Sequence, residues 1–478
     1  MLMTFTTLSR FRWVFCQLEA LRYCFPPSVR QMLEELPETL DETYERILRD
    51  INKANRAHAH RLLQCLTVAV RPLRIAELAE VLAVDFGTAA CEGPSKLNTN
   101  WRWEDQQQAV LSTCSGLISI VDEYGFQVVQ FSHFSVKEFL TSSRLAGSSA
   151  DVSRFHILFE PAHTILAKAC LGVLLRLDEH VDEHNVWNHF PLARYAAEHW
   201  IDHAKFQQVL SQVQEGMEDL FDPVMPYFAA WLRVHDIDVY SSECPLFWFT
   251  VAADRLGAAP LYYAALCGFY DLAEHLIIKH PQQVNANCGY YVSPLGAALG
   301  KEHFDVAQLL FEHGADVNVR GIYGRTPLIA APRLGHRDIV EWLLKHGADP
   351  NLCGNDELCT PLHVAVMHGQ VEVSQILLQH KADQNALDSD GQTPLHLASD
   401  QGYIDVARLL LEQGSNVNAQ DNNRSTPLHL ASRKGKLEVV CLLLEHGADL
   451  DAEDKEGMTA CRVASGSGYH DIAKLVSK

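Results

Sequence analysis

From residue 259 onward the apolar and polar positions of this chain repeat in one order. A short apolar block opens after a proline and closes near a glycine; an acid and a leucine-rich run follow. Pro260, Pro294, Pro327, Pro361, Pro394 and Pro427, then Ala460 in the same role, stand 33 or 34 residues apart. Such a period belongs to stacked supersecondary units, each burying its apolar face only against its neighbours. The pattern predicts a short helix, a tight turn, a second helix and an extended connection in every unit.

The clearest copy runs Thr426-Pro427-Leu428-His429-Leu430-Ala431, then Gly435, Glu438 and a leucine run closed by Gly447. Thr426 suits an N-cap and Pro427 the first helical position, where no amide hydrogen is needed. Leu428 and Ala431 fall on one helix face, and Gly435 can take the left-handed conformation that ends the helix. Glu438 stands in the first turn of the second helix, where the dipole favours an anion. Asp271, Asp305, Asp338, Glu372, Asp405 and Asp471 repeat it. These motifs resemble ankyrin repeats over residues 259–478, which implies seven helix pairs with β-hairpin fingers, the last truncated. Glu302 stands where the other copies have glycine, and Pro332 intrudes into the third first helix.

In the first half, apolar spacing predicts helices over residues 9–22, 29–36 and from Leu40, with Asp41 and Glu42 early as the dipole prefers. Further helices are expected over 56–70, 75–84 and 105–112. Alternating strands follow over 117–121 and 127–132, with residues 122–125 as their turn. Three helices and a hairpin are the order of a winged helix. The stretches LEELPETLDETYERIL, RPLRIAELAEVLAV, CSGLISIV and FSHFSVKEFLTSSRL are similar to the segment after the nucleotide-binding domain in fungal NACHT–ankyrin proteins. FRWVFCQLEALR resembles the end of that preceding domain. The resemblance implies a mainly α chain. Residues 1–55 are a helical stub resembling the end of a NACHT module, and 56–145 a winged-helix-like domain. Residues 146–258 are a helical bridge capping the array, and 259–478 the ankyrin solenoid. Phe247, Trp248 and Phe249 are the expected seam.

A P-loop needs GxxxxGK[ST]. The Gly-Lys pairs at 300–301 and 435–436 are followed by Glu302 and Leu437 and lack the upstream glycine, so no ATPase site is expected. The chain therefore resembles the back half of such a signalling NTPase receptor, its ATPase upstream or in another chain.

Charge narrows the partners. The chain has 60 acidic and 39 basic residues, a net charge of −21, with most of the excess acid after residue 145. Such a surface repels phosphate backbones and anionic lipid. The 13 cysteines lack a CxxC pair, which suits reduced thiols, and no apolar run is long enough to span a bilayer. The expected compartment is the cytoplasm, with the nucleus as a second.

Candidate chemistry is sparse. The expected third helix of the winged helix has one arginine, Arg102, against Glu104 and Asp105, and the wing turn carries Asp122 and Glu123. A DNA-associated regulator is the weaker alternative, because phosphate neutralisation drives such binding. His180/His184 and His199/His203 are spaced i, i+4, but no HExxH completes a zinc site. His363, His396 and His429 recur on helices about 8–10 Å apart, too far to share one metal, and the resemblance implies a hydrogen-bonding ladder instead. Ser132, His133 and Ser135 lack a GxSxG elbow. Neither catalytic residues nor a cofactor, metal, small-molecule substrate, nucleic acid or membrane is expected.

What remains is recognition of a protein partner. The early fingers carry Tyr290, Tyr291 and Tyr323, and exposed aromatics anchor interfaces. Arg433 and Lys434 add a basic spot on one first helix. The later fingers carry Asp388, Asp390, Asp421, Glu453, Asp454 and Glu456; Asp388 and Asp421 fall on the ankyrin consensus, and from the surplus acids a partner with an apolar patch beside a basic one is expected. Together these point to a non-catalytic scaffold or sensor arm.

Overall fold

The computed structural model describes residues 39–86, 95–114, 116–123, 125–178, 186–235, 237–238, 259–289, 291–320, 326–354 and 359–477. The expected helices over 9–22 and 29–36 and the Phe247–Phe249 seam lie outside these residues. The chain divides into two units, Met1–Ser241 and Ser242–Lys478, each taken here by itself.

The first unit opens with α1 (Leu40–Asp50), where Thr39 and Glu42 form a reciprocal capping box. Tyr44 on α1 is fully buried, its ring 5.4 Å from Phe139 and its hydroxyl 2.9 Å from Ser135 Oγ. This helix therefore packs on the end of the winged helix, although it precedes residue 56. Next come α2 (Arg56–Val68), β1 (Leu73–Arg74), α3 (Ile75–Leu82), β2 (Val84–Asp85), β3 (Lys96–Leu97) and α4 (Gln106–Cys114). The hairpin β4 (Ile118–Glu123) and β5 (Phe126–Phe131) then adds to β1 in the order β1-β5-β4, all antiparallel. Asp122 and Glu123, expected in the turn, pair with Gln127 and Phe126 as strand residues. The turn is shorter because Gly125, at φ +83°, reverses the chain in a left-handed conformation.

After α5 (Phe134–Leu140), α6 (Ser143–Ala146) and α7 (Ala150–Ser153) comes the bridge. Its helices are α8 (Phe159–Leu174), α9 (Val186–His189), α10 (Ala193–Ala204), α11 (Val209–Leu220) and α12 (Tyr227–Val234). Helix α8 lies against both α2 and α10, so winged helix and bridge share one core. Its small residues make that possible: a Cβ on Gly172 would sit 2.8 Å from Ser95 O. Trp200, Phe221 and Trp231 fill the other end, with Trp231 Nε1–H donating to Ala197 O at 3.2 Å.

The second unit is a row of helix pairs: α13 (Pro260–Cys267) with α14 (Tyr270–Lys279), α15 (Pro294–Gly300) with α16 (Phe304–Glu312), and α17 (Pro327–Ala330) with α18 (Arg337–Lys345). Then follow α19 (Pro361–Met367) with α20 (Val371–Gln379), α21 (Pro394–Gln401) with α22 (Ile404–Glu412), α23 (Pro427–Arg433) with α24 (Leu437–Glu445), and α25 (Ala460–Gly466) with α26 (His470–Leu475). Pro332 has no amide hydrogen for an α-helical bond, and α17 passes into a 3-10 turn over Ala331–Leu334. The fingers fall short of the expected hairpins. Asp388, Asp421 and Asp454 each donate one backbone bond across the turn, to Gln392, Ser425 and Met458. Among the described residues only Glu453 and Thr459 form an isolated bridge.

Candidate functional site: the first-helix face of the array

Two hydrogen-bond ladders tie neighbouring repeats, one through the first helices and one through the turns after the second helices. In the inner one, Thr360, Thr393 and Thr426 donate their amide hydrogens to Nδ1 of His363, His396 and His429 at 3.3, 3.1 and 3.2 Å. Each Nε2–H then donates to a carbonyl of the next finger, on Gln392, Ser425 or Met458, at 3.0–3.1 Å. Because Nδ1 accepts, these rings are neutral with the proton on Nε2; burial lowers the affinity of His363 and His396 for a second proton. The outer ladder uses Asn285, Asn318, Asn351 and Asn418, whose side chains accept the amide of the residue 31 or 32 positions on.

The glycines that end these helices have a second role. Gly369, Gly402 and Gly435 have φ between +66° and +82°, and a Cβ on them would meet Tyr403, Lys436 and Tyr469 of the following repeat at 3.2, 2.6 and 2.3 Å. Glu302 takes the same conformation, φ +61°, with a side chain, and turns its carboxylate to His336 Nδ1 at 3.1 Å.

Before the turns at Gly369 and Gly435, side chains project outward. Met367 is 45% exposed, and the Arg433 and Lys434 side chains are 52% and 51% exposed. Both cations lean on Asp400 of the preceding repeat, at 3.9 and 4.0 Å. Tyr290 and Tyr323 lie outside the described residues. Tyr291 corrects an expectation: it is 7% exposed, and its amide hydrogen donates to Tyr262 Oη at 3.2 Å. Its ring occupies the space a Cβ on Gly300 would need, 2.1 Å away, so Tyr291 packs the array. The signal was at Gly300, whose missing side chain makes room for a ring.

Three of the six finger acids hold their own turns. Asp388 Oδ1 accepts from Asp390 and Gln392 N–H, Asp421 Oδ1 from Asn423 and Ser425, and Asp454 Oδ1 from Glu456 and Met458, all at 2.8–2.9 Å.

In the first unit, three arginines of the winged helix are engaged by its own residues. Arg71 grips Glu77 with bonds of 2.7 and 2.9 Å, Arg102 pairs with Glu80, and Arg74 lies 3.7 Å over the Phe126 ring. Glu80 also accepts the Leu192 amide at 2.7 Å; burial raises its carboxyl, opposed by Leu192 and Arg102. Trp101 and Trp103, on either side of Arg102, are 50% and 52% exposed.

His203 is buried and both its nitrogens are engaged, Nε2 with Tyr195 Oη at 2.8 Å and Nδ1 with His163 Nδ1 at 2.9 Å. Tyr195 Oη also accepts the Val70 amide at 3.1 Å, which ties bridge to winged helix. Burial and the neighbouring His163 hold His203 down to about 4. His199 instead faces Asp202 and Glu198, so the i, i+4 pair does not converge on one ligand. His180 and His184 lie outside the described residues. Among the described residues no group of three His, Cys, Asp or Glu side chains could hold a metal, and no helix is long and apolar enough to cross a membrane. Sequence reasoning missed this relay and the buried Glu77 and Glu80, since nothing local distinguishes them from surface residues.

Comparison with known families agrees with this geometry. Residues 261–354 and 352–421 match the family of ankyrin repeats in three copies, and residues 410–464 that of ankyrin repeats in many copies. Residues 44–152 match the winged helix domain of GPI inositol-deacylase, a span that takes in most of α1. The chain is thus an ankyrin-bearing protein with a winged helix domain, and ankyrin repeats are non-catalytic modules that engage protein partners. It is 34% identical over 291 residues to azaphilone pigments biosynthesis cluster protein L of Monascus ruber. That match takes in 58% of this chain and 60% of the relative, less than two thirds of its length.

Proposed function

We propose that this chain is a non-catalytic scaffold or sensor arm that holds a protein partner on the concave face and fingers of its ankyrin array, in the cytoplasm. The observation carrying this is the first-helix face. Its buried residues are committed to ladders between repeats, and the exposed row containing Met367, Arg433 and Lys434 is left to vary without cost to the fold. A rigid backbone platform spares binding the cost of ordering a loop, though its exposed side chains are still immobilised. The test compares proteins captured by the full-length chain and by Met367→Ala/Arg433→Ala/Lys434→Ala from an extract of the source organism. A partner lost from the triple variant supports the reading; an unchanged set of partners sinks it.

In the wider reading the array senses for a signalling NTPase receptor of the NACHT–ankyrin kind, with the ATPase upstream or in a separate chain. The winged-helix match favours this reading. Translating the genomic DNA upstream of Met1 tests it: an in-frame GxxxxGK[ST] supports the receptor form, an early stop the short one. The Monascus ruber relative favours a second reading, in which the scaffold serves a pigment biosynthesis cluster. Deleting the gene and profiling pigments separates the two, since an unchanged profile removes the second.

A further inference from the structure

Charge on the array is sorted in a way the total hides. The chain carries −21, yet Glu372, Asp405, Glu438 and Asp471 stand in the first turns of second helices, and Asp388, Asp421 and Asp454 are tied up by their own turns. On the first helices of repeats five and six, Arg433 and Lys434 share one carboxylate, Asp400, at distances near the limit of an ion pair. A third cation, Lys436, lies across Gly402, its Cδ 2.6 Å from where a Cβ would be. Arg433 and Lys434 thus lean on one acid. Exposed pairs of this kind are worth only about 0–1 kcal/mol, so Asp400 yields readily to a better acceptor.

We propose that this row binds an acidic segment of a protein partner, whose carboxylates meet Arg433 and Lys434 while an apolar side chain rests on Met367. The proposal rests on the scaffold reading above and names its partner's chemistry. Arginine presents paired donors that match a carboxylate. Met367, exposed and flexible, suits a hydrophobic contact of loose shape. Helices α19, α21 and α23 lie side by side. At about 8–10 Å per helix, Met367 and Arg433 are roughly 16–20 Å apart. An extended chain covers that in about five or six residues at ~3.3 Å each. Asp388, Asp421 and Asp454 are tied to their own turns, while Asp390, Glu453 and Glu456 stay exposed on the fingers, away from the first-helix row that carries this proposal.

The test uses the full-length chain and a fluorescent peptide carrying one leucine and, six residues on, two adjacent glutamates. A peptide with lysines for the glutamates and a single-stranded oligonucleotide are the competitors. The acidic probe is expected to bind, to weaken at least about tenfold on Arg433→Glu/Lys434→Glu, and to tighten about threefold on Asp400→Asn. Met367→Ala lowers its affinity about threefold without changing the salt dependence. Three results overturn the proposal: the lysine peptide binding as well, the double reversal leaving affinity unchanged, or the oligonucleotide outcompeting the acidic probe. If the acidic probe fails while the triple-variant capture above loses its partner, the scaffold stands and the acidic assignment falls.

Discussion

Replacing His396 with leucine keeps nearly the same volume at a fully buried position and removes the links between three groups. The Thr393 amide loses the Nδ1 acceptor 3.1 Å away, and the Thr393 hydroxyl loses its contact at 2.9 Å. The Ser425 carbonyl, on the next finger, loses the Nε2–H donor at 3.0 Å. Thr393 and Ser425 are themselves 2% and 5% exposed, so water cannot replace the ring. The Ser425 carbonyl keeps the Asp421 amide, so one stranded backbone group, the Thr393 amide, sets an expected loss of about 1–3 kcal/mol. Asn418→Ala removes two bonds, to the Asp449 amide at 2.8 Å and the Gly447 carbonyl at 3.4 Å, but in the open. Water takes those partners, and the expected loss is about 1 kcal/mol. Urea unfolding of the full chain, followed by far-ultraviolet circular dichroism, measures both. In a quasi-one-dimensional array His396→Leu should also split the transition, because coupling between the fifth and sixth repeats weakens. The ladder argument fails if His396→Leu costs under about 1 kcal/mol, or no more than Asn418→Ala.

Gly435→Ala should destabilise by about 2–3 kcal/mol, since it adds a left-handed conformational cost to a Cβ 2.3 Å from the Tyr469 ring. Gly447→Ala, with nothing within 4 Å, should cost only about 1 kcal/mol; equal losses in thermal melts would show that the ring contact is irrelevant. Glu302→Gly should stabilise by about 0.5–1 kcal/mol, because the strain at φ +61° outweighs an exposed contact with His336. A lowered melting temperature would reverse that reading. Stability should depend on pH through His203: the unfolded imidazole takes up its proton near 6.5 and the native one near 4. The native state is therefore fully favoured above pH 6.5 and loses about 3 kcal/mol as pH falls towards 4. His203→Gln should flatten that slope in urea titrations, and an unchanged slope would remove His203 as its source.

The elements themselves were legible in the sequence. Thr426-Pro427 places a cap and a first helical residue, Gly435 a left-handed stop, and Glu438 an acid at a helix start, each through interactions within a few residues. The winged helix was readable for the same reason, apart from its turn, where Asp122 and Glu123 joined the strands and Gly125 takes a left-handed conformation. The candidate site was legible only in part. Arg433 and Lys434 are exposed as expected, while Tyr291 is not, because Tyr262 and Gly300, nine residues or more away, make a place for it.

By itself, then, the sequence determined the period, the helix pairs, their caps and the order of the modules, since those are set by local hydrogen bonding and apolar spacing. Only the tertiary structure decided which charges remain free. Asp388 and Arg433 look equally available in a linear chain, but one folds onto its own turn while the other is left beside a single shared carboxylate. Availability depends on which distant groups folding brings within hydrogen-bonding reach. It also decided that His163, His203, Tyr195 and Val70, spread over residues 70–203, form one relay within the first unit.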